Sequence, residues 1–224
     1  MSDINVSIEG GKSKRLLTAG KYCPADIVVS ADGSAARDPD LPAGYWRVDY
    51  ILFNGNQITD SGIVCNQDTK IHVLFTREST GSTYLYGVIS DGNTASMTAY
   101  LSTNGSWRFG NKYVSRPIST DAELIRNVIV TKSGVKHETG TATLSGVSDF
   151  ETPGTLPIGG ARQASGVLDA QFVGKMLIFE MWQGEEQVRK LVPLTNGTVY
   201  RFYDKVSNAF FDSLTDTPFE GGNL

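Results

Sequence analysis

From Tyr45 onward the chain is cut into short apolar runs by turn residues about every 8–12 positions, a spacing that suits strands and little else. Trp46–Phe53 and Gln57–Val64 flank Asn54-Gly55-Asn56, and Asn-Gly is a strong hairpin signal. Lys70–Arg77 alternates, with Ile71, Val73 and Phe75 on one face and His72, Leu74 and Thr76 on the other. Tyr84–Ile89 and Ser96–Leu101 follow across Asp91-Gly92-Asn93, and Asn104-Gly105 leads into Trp107–Phe109 as a second hairpin. Asn127–Thr131 and Val135–Glu138 are joined by Lys132-Ser133-Gly134, and Thr141–Thr143 and Pro157–Ile158 continue the series. Phe172, Val173, Met176, Ile178 and Met181 are followed by a turn at Gln183–Glu186 and a return strand from Val188 to Leu194. Only Thr120–Asn127 suggests a brief helical turn, capped by Thr120. The expectation is an all-β sandwich of antiparallel strands rather than a βαβ fold.

At 224 residues, 40 % of them apolar, the chain can bury a real core, in one all-β domain with an appendage or in two small domains. A net charge of −4 leaves no basic footprint for nucleic acid. No run approaches the about 18 apolar residues of a membrane helix, so no membrane insertion is expected. The start, MSDINVSIEGG, has neither a positive flank nor an apolar stretch, so no secretory signal is expected. Cys23 and Cys65 read as two reduced thiols or as one bridge to the N-terminal segment. His72 and His137 have no partners at ligand spacing, so neither metal nor cofactor is expected.

Three segments follow from these patterns. Residues 1–33 hold two short strands, Asn5–Ile8 and Asp26–Ser30, in a β element too small to bury a core alone; it must lean on a neighbour. Residues 34–43 are rich in Ala, Asp and Pro and read as a linker. Residues 44–224 form the main domain. The basic cluster Lys12, Lys14, Arg15 and Lys21 reads either as a docking surface for an acidic partner or as a solubilising end.

The string Thr18-Ala19-Gly20-Lys21-Tyr22-Cys23 with Asp26-Ile27-Val28-Val29 is similar to an N-terminal element of phage tail and baseplate proteins. Tyr50-Ile51, Asn54-Gly55, Gln57-Ile58 and Asp60-Ser61-Gly62-Ile63 resemble the opening of the concanavalin A-like (LamG-like) jelly rolls of such particles. Val192-Pro193, Arg201-Phe202-Tyr203-Asp204, Phe210-Phe211 and a disordered-looking end resemble the closing segment. Leu194 stands where that family has Cys, and Arg201-Phe202 where it has Gly-Leu. The resemblance implies a jelly-roll domain over 44–224 held to other virion proteins through 1–33, with Lys12, Lys14, Arg15, Lys21 and Tyr22 as the attachment residues. It implies a non-enzymatic structural protein of a phage or prophage tail, baseplate or fibre, made in the host cytoplasm. It further implies a homo-oligomer, trimer favoured, that binds host surface glycans. A capsid-decorating protein without glycan binding and a polysaccharide-active glycosidase are the alternatives.

Sugar recognition needs flat rings against a pyranose beside groups that pair with hydroxyls. Tyr84, Tyr86, Trp107, Phe109 and Trp182 are rings in strands, and Asp91, Asn93, Asn104 and Arg108 lie in or beside adjoining turns. Core packing competes for each ring. Trp107 is the expected exposed one, since it follows a tight hairpin between Ser106 and Arg108. Hydrolysis would need paired carboxylates. Glu180 and Glu185 have the spacing, but Trp182 replaces the middle acid, so the expectation is no catalysis. Asp91-Gly92-Asn93 and Asp38-Pro39-Asp40 read as turns rather than calcium loops. No serine elbow or phosphate loop appears.

Overall fold

The computed structural model describes residues 40–119, 121–137 and 140–224. The segment expected at 1–33 to be an attachment element, with Lys12, Lys14, Arg15, Lys21, Tyr22 and Cys23, lies outside the described residues, as does the expected linker up to residue 39. Contacts divide the chain into two compact units, 1–46 and 47–224. The described part of the first is a turn in which the Tyr45 N–H donates to the Pro42 carbonyl at 3.2 Å.

The described residues form nineteen strands and no α-helix. They are β1 (Trp46–Arg47), β2 (Tyr50–Asn54), β3 (Thr59–Asn66), β4 (Thr69–Phe75), β5 (Thr83–Val88), β6 (Ser96–Leu101) and β7 (Asn104–Gly110). Then come β8 (Lys112–Pro117), β9 (Arg126–Thr131), β10 (Gly134–His137), β11 (Gly140–Thr143), β12 (Glu151–Ile158) and β13 (Gly160–Arg162). The last are β14 (Leu168–Ala170), β15 (Val173–Gln183), β16 (Glu186–Thr195), β17 (Tyr200–Asp204), β18 (Ala209–Phe211) and β19 (Glu220–Gly222). An eleven-stranded sheet runs β11-β10-β9-β4-β15-β16-β17-β18, with β2 set between β15 and β19. An eight-stranded sheet runs β14-β13-β5-β6-β7-β8, with β12 joining β3 to β5. Pairing among β2–β19 is antiparallel apart from one parallel bridge, Arg162 to Val88, between β13 and β5. The unit is therefore an all-β sandwich of two antiparallel sheets.

The core lies between the sheets. Ile71, Val73 and Phe75 of β4 and Phe179 and Met181 of β15 meet Leu85, Met97, Leu101 and Phe109 of the smaller sheet. Burying each such side chain contributes about 1.5–3 kcal/mol. Rings cross the gap directly: Tyr86 stands edge-on to Phe179 at 5.8 Å, and Trp107 stacks on His137 at 5.7 Å. Cys65 is a free, fully buried thiol.

Three local expectations change. Asn54-Gly55-Asn56 does not close a hairpin, because β2 and β3 belong to different sheets. Both edges of β2 are already paired, so the chain must turn a corner. Buried Gln57 holds that corner: its Oε1 accepts the Asn54 N–H at 2.8 Å, and its Nε2 donates to the Pro218 carbonyl at 3.2 Å. The helical turn at 120–127 is, in its described part, a loop running into β9. Arg126, fully buried, donates from Nη1 to the Leu124 carbonyl at 2.8 Å and from Nη2 to the carbonyls of Ser119 and Asp121 at 2.6 and 2.7 Å. The guanidinium gathers those carbonyls inward, and the backbone bond from the Leu124 N–H to the Asp121 carbonyl at 3.4 Å closes a turn rather than a helix. The chain end is ordered: β19 pairs with β2, and Phe219 packs on Phe53 and Phe202 at 5.3 and 5.6 Å.

The Tyr203-Asp204 corner has a clear physical role. Asp204 is fully buried and accepts from the backbone of Lys190 (2.7 Å), Val206 (3.1 Å) and Ser207 (3.2 Å) and from Ser207 Oγ (2.6 Å). Arg189 Nη1 lies 3.4 Å away and completes its neutralisation. One carboxylate thus fastens the β17–β18 turn to β16.

Asp204→Ala is expected to lower unfolding free energy by about 3 kcal/mol, because donors and a half-buried Arg189 lose their acceptor. Ser207→Ala should cost about 1 kcal/mol, both read from urea unfolding. Burial, opposed by a hydrogen bond with Thr69 and reinforced by Asp60, pushes the Cys65 thiol from 9.0 up to about 12. The folded chain therefore holds this proton where the unfolded chain releases it. Its stability is undiminished below pH 9.0 and falls as pH rises from there toward about 12. In a Cys23→Ser background, Cys65 should resist thiol reagents at pH 8 and react at once in urea.

Candidate functional site

Strand pairing in the smaller sheet sorts its side chains into two faces. Across β5, β6, β7 and β8, one outward row is Tyr84, Tyr100, Ser106 and Ser115. The adjacent row is Gly87, Thr98, Arg108 and Tyr113. These residues face away from the core because their alternates, Met97, Ala99, Leu101, Trp107 and Phe109, fill it. The result is a cleft of about 440 Å³ on the outer surface of the sheet. Tyr84, Tyr100 and Tyr113 supply its rings, Thr98 and Ser106 its hydroxyls, and Arg108 its charge. Asn93 and Gln163 border it from the loops after β5 and β13.

The rings are held. Tyr84 and Tyr100 contact at 4.9 Å with planes tilted by 54°, and the Arg108 guanidinium carbon sits 5.6 Å from the centre of the Tyr113 ring. Gly92 (φ +63) and Asn93 (φ +56) turn the chain between β5 and β6 through the left-handed region that glycine and asparagine tolerate best. Burial first, and then Tyr100 and Asp169, raise the Tyr84 phenol above its ordinary value, with Arg108 pulling the other way. Tyr84 therefore stays a neutral hydrogen-bonding group at physiological pH.

Of the sequence-derived sugar residues, Tyr84, Asn93 and Arg108 come together at this cleft. Trp107 is a correction. It borders the cleft but is 1 % exposed, its ring folded across the bare Cα of Gly105 and stacked on His137. A Cβ at Gly105 would lie 2.1 Å from Trp107 Cη2, so the absence of a side chain there lets the indole lie flat inside. Tyr86 is a second correction, fully buried against Phe179. A register shift between Tyr84 and Tyr86 breaks the alternation and turns both Leu85 and Tyr86 inward. Phe109 is buried as well. Asp91 is exposed in the turn beside Asn93 but does not line the cleft, and Asn104, exposed, opens β7. Trp182 belongs to the other sheet, where Lys70 Nζ covers its ring at 3.7 Å.

Sequence reasoning missed Tyr100, Tyr113, Thr98, Ser106 and Gln163. Asn104 is the first residue of β7. The β6–β7 register begins with Leu101 opposite Gly105, so Asn104 counts with the turn between those two strands, and counting from it pairs Tyr100 with Ser106 and Thr98 with Arg108. Tyr113 gave little signal in the sequence, because Lys112–Pro117 carries a single aliphatic residue before its proline and does not read as a strand.

A second cleft, about 230 Å³, is lined by Tyr200, Asp212, Thr215, Asp216 and Phe219. Its Asp212 is paired with Arg201, Nε to Oδ1 at 2.6 Å. No cluster of His, Cys, Asp and Glu suited to a metal occurs among the described residues.

Glu180 lies on the outer face of the larger sheet. Its carboxylate meets His72 Nδ1 at 2.7 Å, Gln187 Nε2 at 3.4 Å and Lys190 Nζ at 3.7 Å, and His72 Nε2 meets Asn127 at 3.1 Å. Burial alone would raise its pKa, but His72, Lys190 and Gln187 outweigh it and hold the carboxyl below 4.5. Glu185 is exposed in the turn that joins β15 to β16.

A scan of protein-family models and a search of curated proteins both return no match to this chain.

A carboxyl held low contributes stability above its ordinary pKa of 4.5 and loses it as pH falls through the lowered value. Glu180→Gln should therefore flatten the decline in thermal midpoint between pH 5 and pH 3, relative to the parent chain.

Proposed function

We propose that this chain is a non-enzymatic structural protein of a phage or prophage particle, a tail, baseplate or fibre component that displays its sandwich to bind a host surface glycan. The observation that carries the binding role is the tyrosine cleft on the outer face of β5–β8. Tyr84, Tyr100 and Tyr113 offer apolar faces for pyranose rings, and Thr98, Ser106, Asn93 and Gln163 offer donors and acceptors for hydroxyls. The particle assignment rests on the sequence resemblance at 18–29, 50–63 and 192–211, which also suggests the concanavalin A-like jelly-roll form of the sandwich. Residues 1–33 attach the chain to other virion proteins, and the chain is a homo-oligomer, trimer favoured. Repetition suits a shallow sugar cleft, because linked weak contacts gain by avidity.

The glycosidase reading is disfavoured by Glu180. A general acid needs a carboxyl held above its usual pKa, whereas Glu180 sits below it in a network with His72, Gln187 and Lys190.

On a glycan array the purified chain should bind a defined subset of glycans, and Tyr100→Ala should weaken that binding at least about tenfold. Binding to no glycan, together with a position on the head in an electron-microscopy map of the particle, would favour the capsid-decorating role instead. A reducing-sugar assay should show no release from polysaccharide. Release that disappears in Glu180→Gln would overturn the non-enzymatic assignment.

A further inference from the structure

We infer that the cleft selects glycans that carry a carboxylate, as uronic and sialic acids do, and that Arg108 receives that group. This inference rests on the glycan reading above and adds the ligand's charge.

Five other arginines are held by partners within the chain. Arg162 is bound to Asp60 at 2.6 Å, Arg189 to Asp204 at 3.4 Å, and Arg201 to Asp212. Arg77 donates to the carbonyls of Ser102 and Gly81, and Arg126 to those of Ser119, Asp121 and Leu124. Arg108 differs. Among the described residues its guanidinium has no ion pair and no side-chain hydrogen bond, and its neighbour is the Tyr113 ring.

The surroundings set the sign and the geometry. No Asp or Glu lines the cleft, so Arg108 is its only charged lining residue among those described. Asp169 is the acid whose charge acts on Tyr84, and a hydrogen bond from Gln171 Nε2 occupies it. It lies on β14, four strand steps from β7, or about 19 Å at the usual strand spacing. The cleft therefore has a basic end at β7–β8 and a neutral or acidic end toward β14. A ring packed beside a guanidinium face leaves the N–H edge for a planar two-oxygen acceptor, and a carboxylate fits that fork in bidentate fashion. Half-burial of Arg108 strengthens such a pair over one in open water. A sugar ring attached to that carboxylate is then held against Tyr113 or Tyr100, while its hydroxyls reach Thr98 and Ser106.

The test uses the full chain with two matched probe pairs: oligogalacturonate with its methyl ester, and sialyllactose with its methyl ester, beside neutral lactose. Each ester keeps the ring and linkages and replaces the charge with a methyl group, whose bulk the Arg108→Gln comparison controls for. By titration calorimetry, at least one acid should bind about 10- to 100-fold more tightly than its ester, and the difference should shrink as salt rises. Arg108→Gln should bring acid and ester to equal affinity, and Arg108→Lys should restore part of the difference. The thermal midpoints of both variants should match the parent, since no ion pair is lost. Equal binding of acid and ester, or an acid preference that survives Arg108→Gln, would overturn the carboxylate inference and leave the glycan reading standing. If none of these probes binds and the array is blank, both fall.

Discussion

Two sheets pressed face to face impose one constraint on every strand: half its side chains must fill the gap between the layers. Ile71, Val73, Phe75, Met97, Leu101 and Phe109 meet that demand with apolar volume. The partners on the other faces are then released to solvent in cross-strand rows. The tyrosine cleft follows from this division. Trp107 and Tyr86 fall on the inner side, one across Gly105 and the other through a register shift, while Tyr84, Tyr100 and Tyr113 fall outside. The backbones of Tyr84 and Tyr100 are already fixed by neighbours on both edges, and that of Tyr113 by β7 on one, which lowers the cost of ordering the rings on binding. That is a sound basis for weak, repeated recognition.

Buried polar hubs govern the places where the chain leaves one strand for another. Gln57 fixes the corner between the sheets, Arg126 gathers the carbonyls before β9, and Asp204 fastens the β17–β18 turn to β16. Each satisfies backbone groups that a turn would otherwise leave unpaired in a dry environment. They explain the Tyr-Asp corner without any ligand. Asp204 has its full complement of donors from its own chain, whereas Arg108 on the other sheet has no such complement. The ligand role proposed for Arg108 draws on that contrast and on its place in the cleft.

The outer face of the larger sheet makes the same point. Glu180, His72, Asn127, Lys190 and Gln187 close a network among themselves, and Lys70 covers Trp182. Those groups have partners, so that face offers less to an incoming sugar or to hydrolytic chemistry.

How much of this was legible beforehand depends on the range of the interaction concerned. Alternation in Lys70–Phe75, the turn at Asp91-Gly92-Asn93 and the return at Gln183–Glu186 are local, set by side-chain period and by residues that accept positive φ, and the residue order alone determined them. So too did the strand-rich class, and with it Tyr84, Asn93 and Arg108 as candidates. Tertiary structure alone decided that Asn54-Gly55 turns a corner, because this depends on β15 and β19 occupying both edges of β2 from more than a hundred residues away. It also decided which aromatic rings face solvent. A strand's own sequence shows that alternate residues share a face; only the opposing sheet, by demanding volume on one side, says which face is inside.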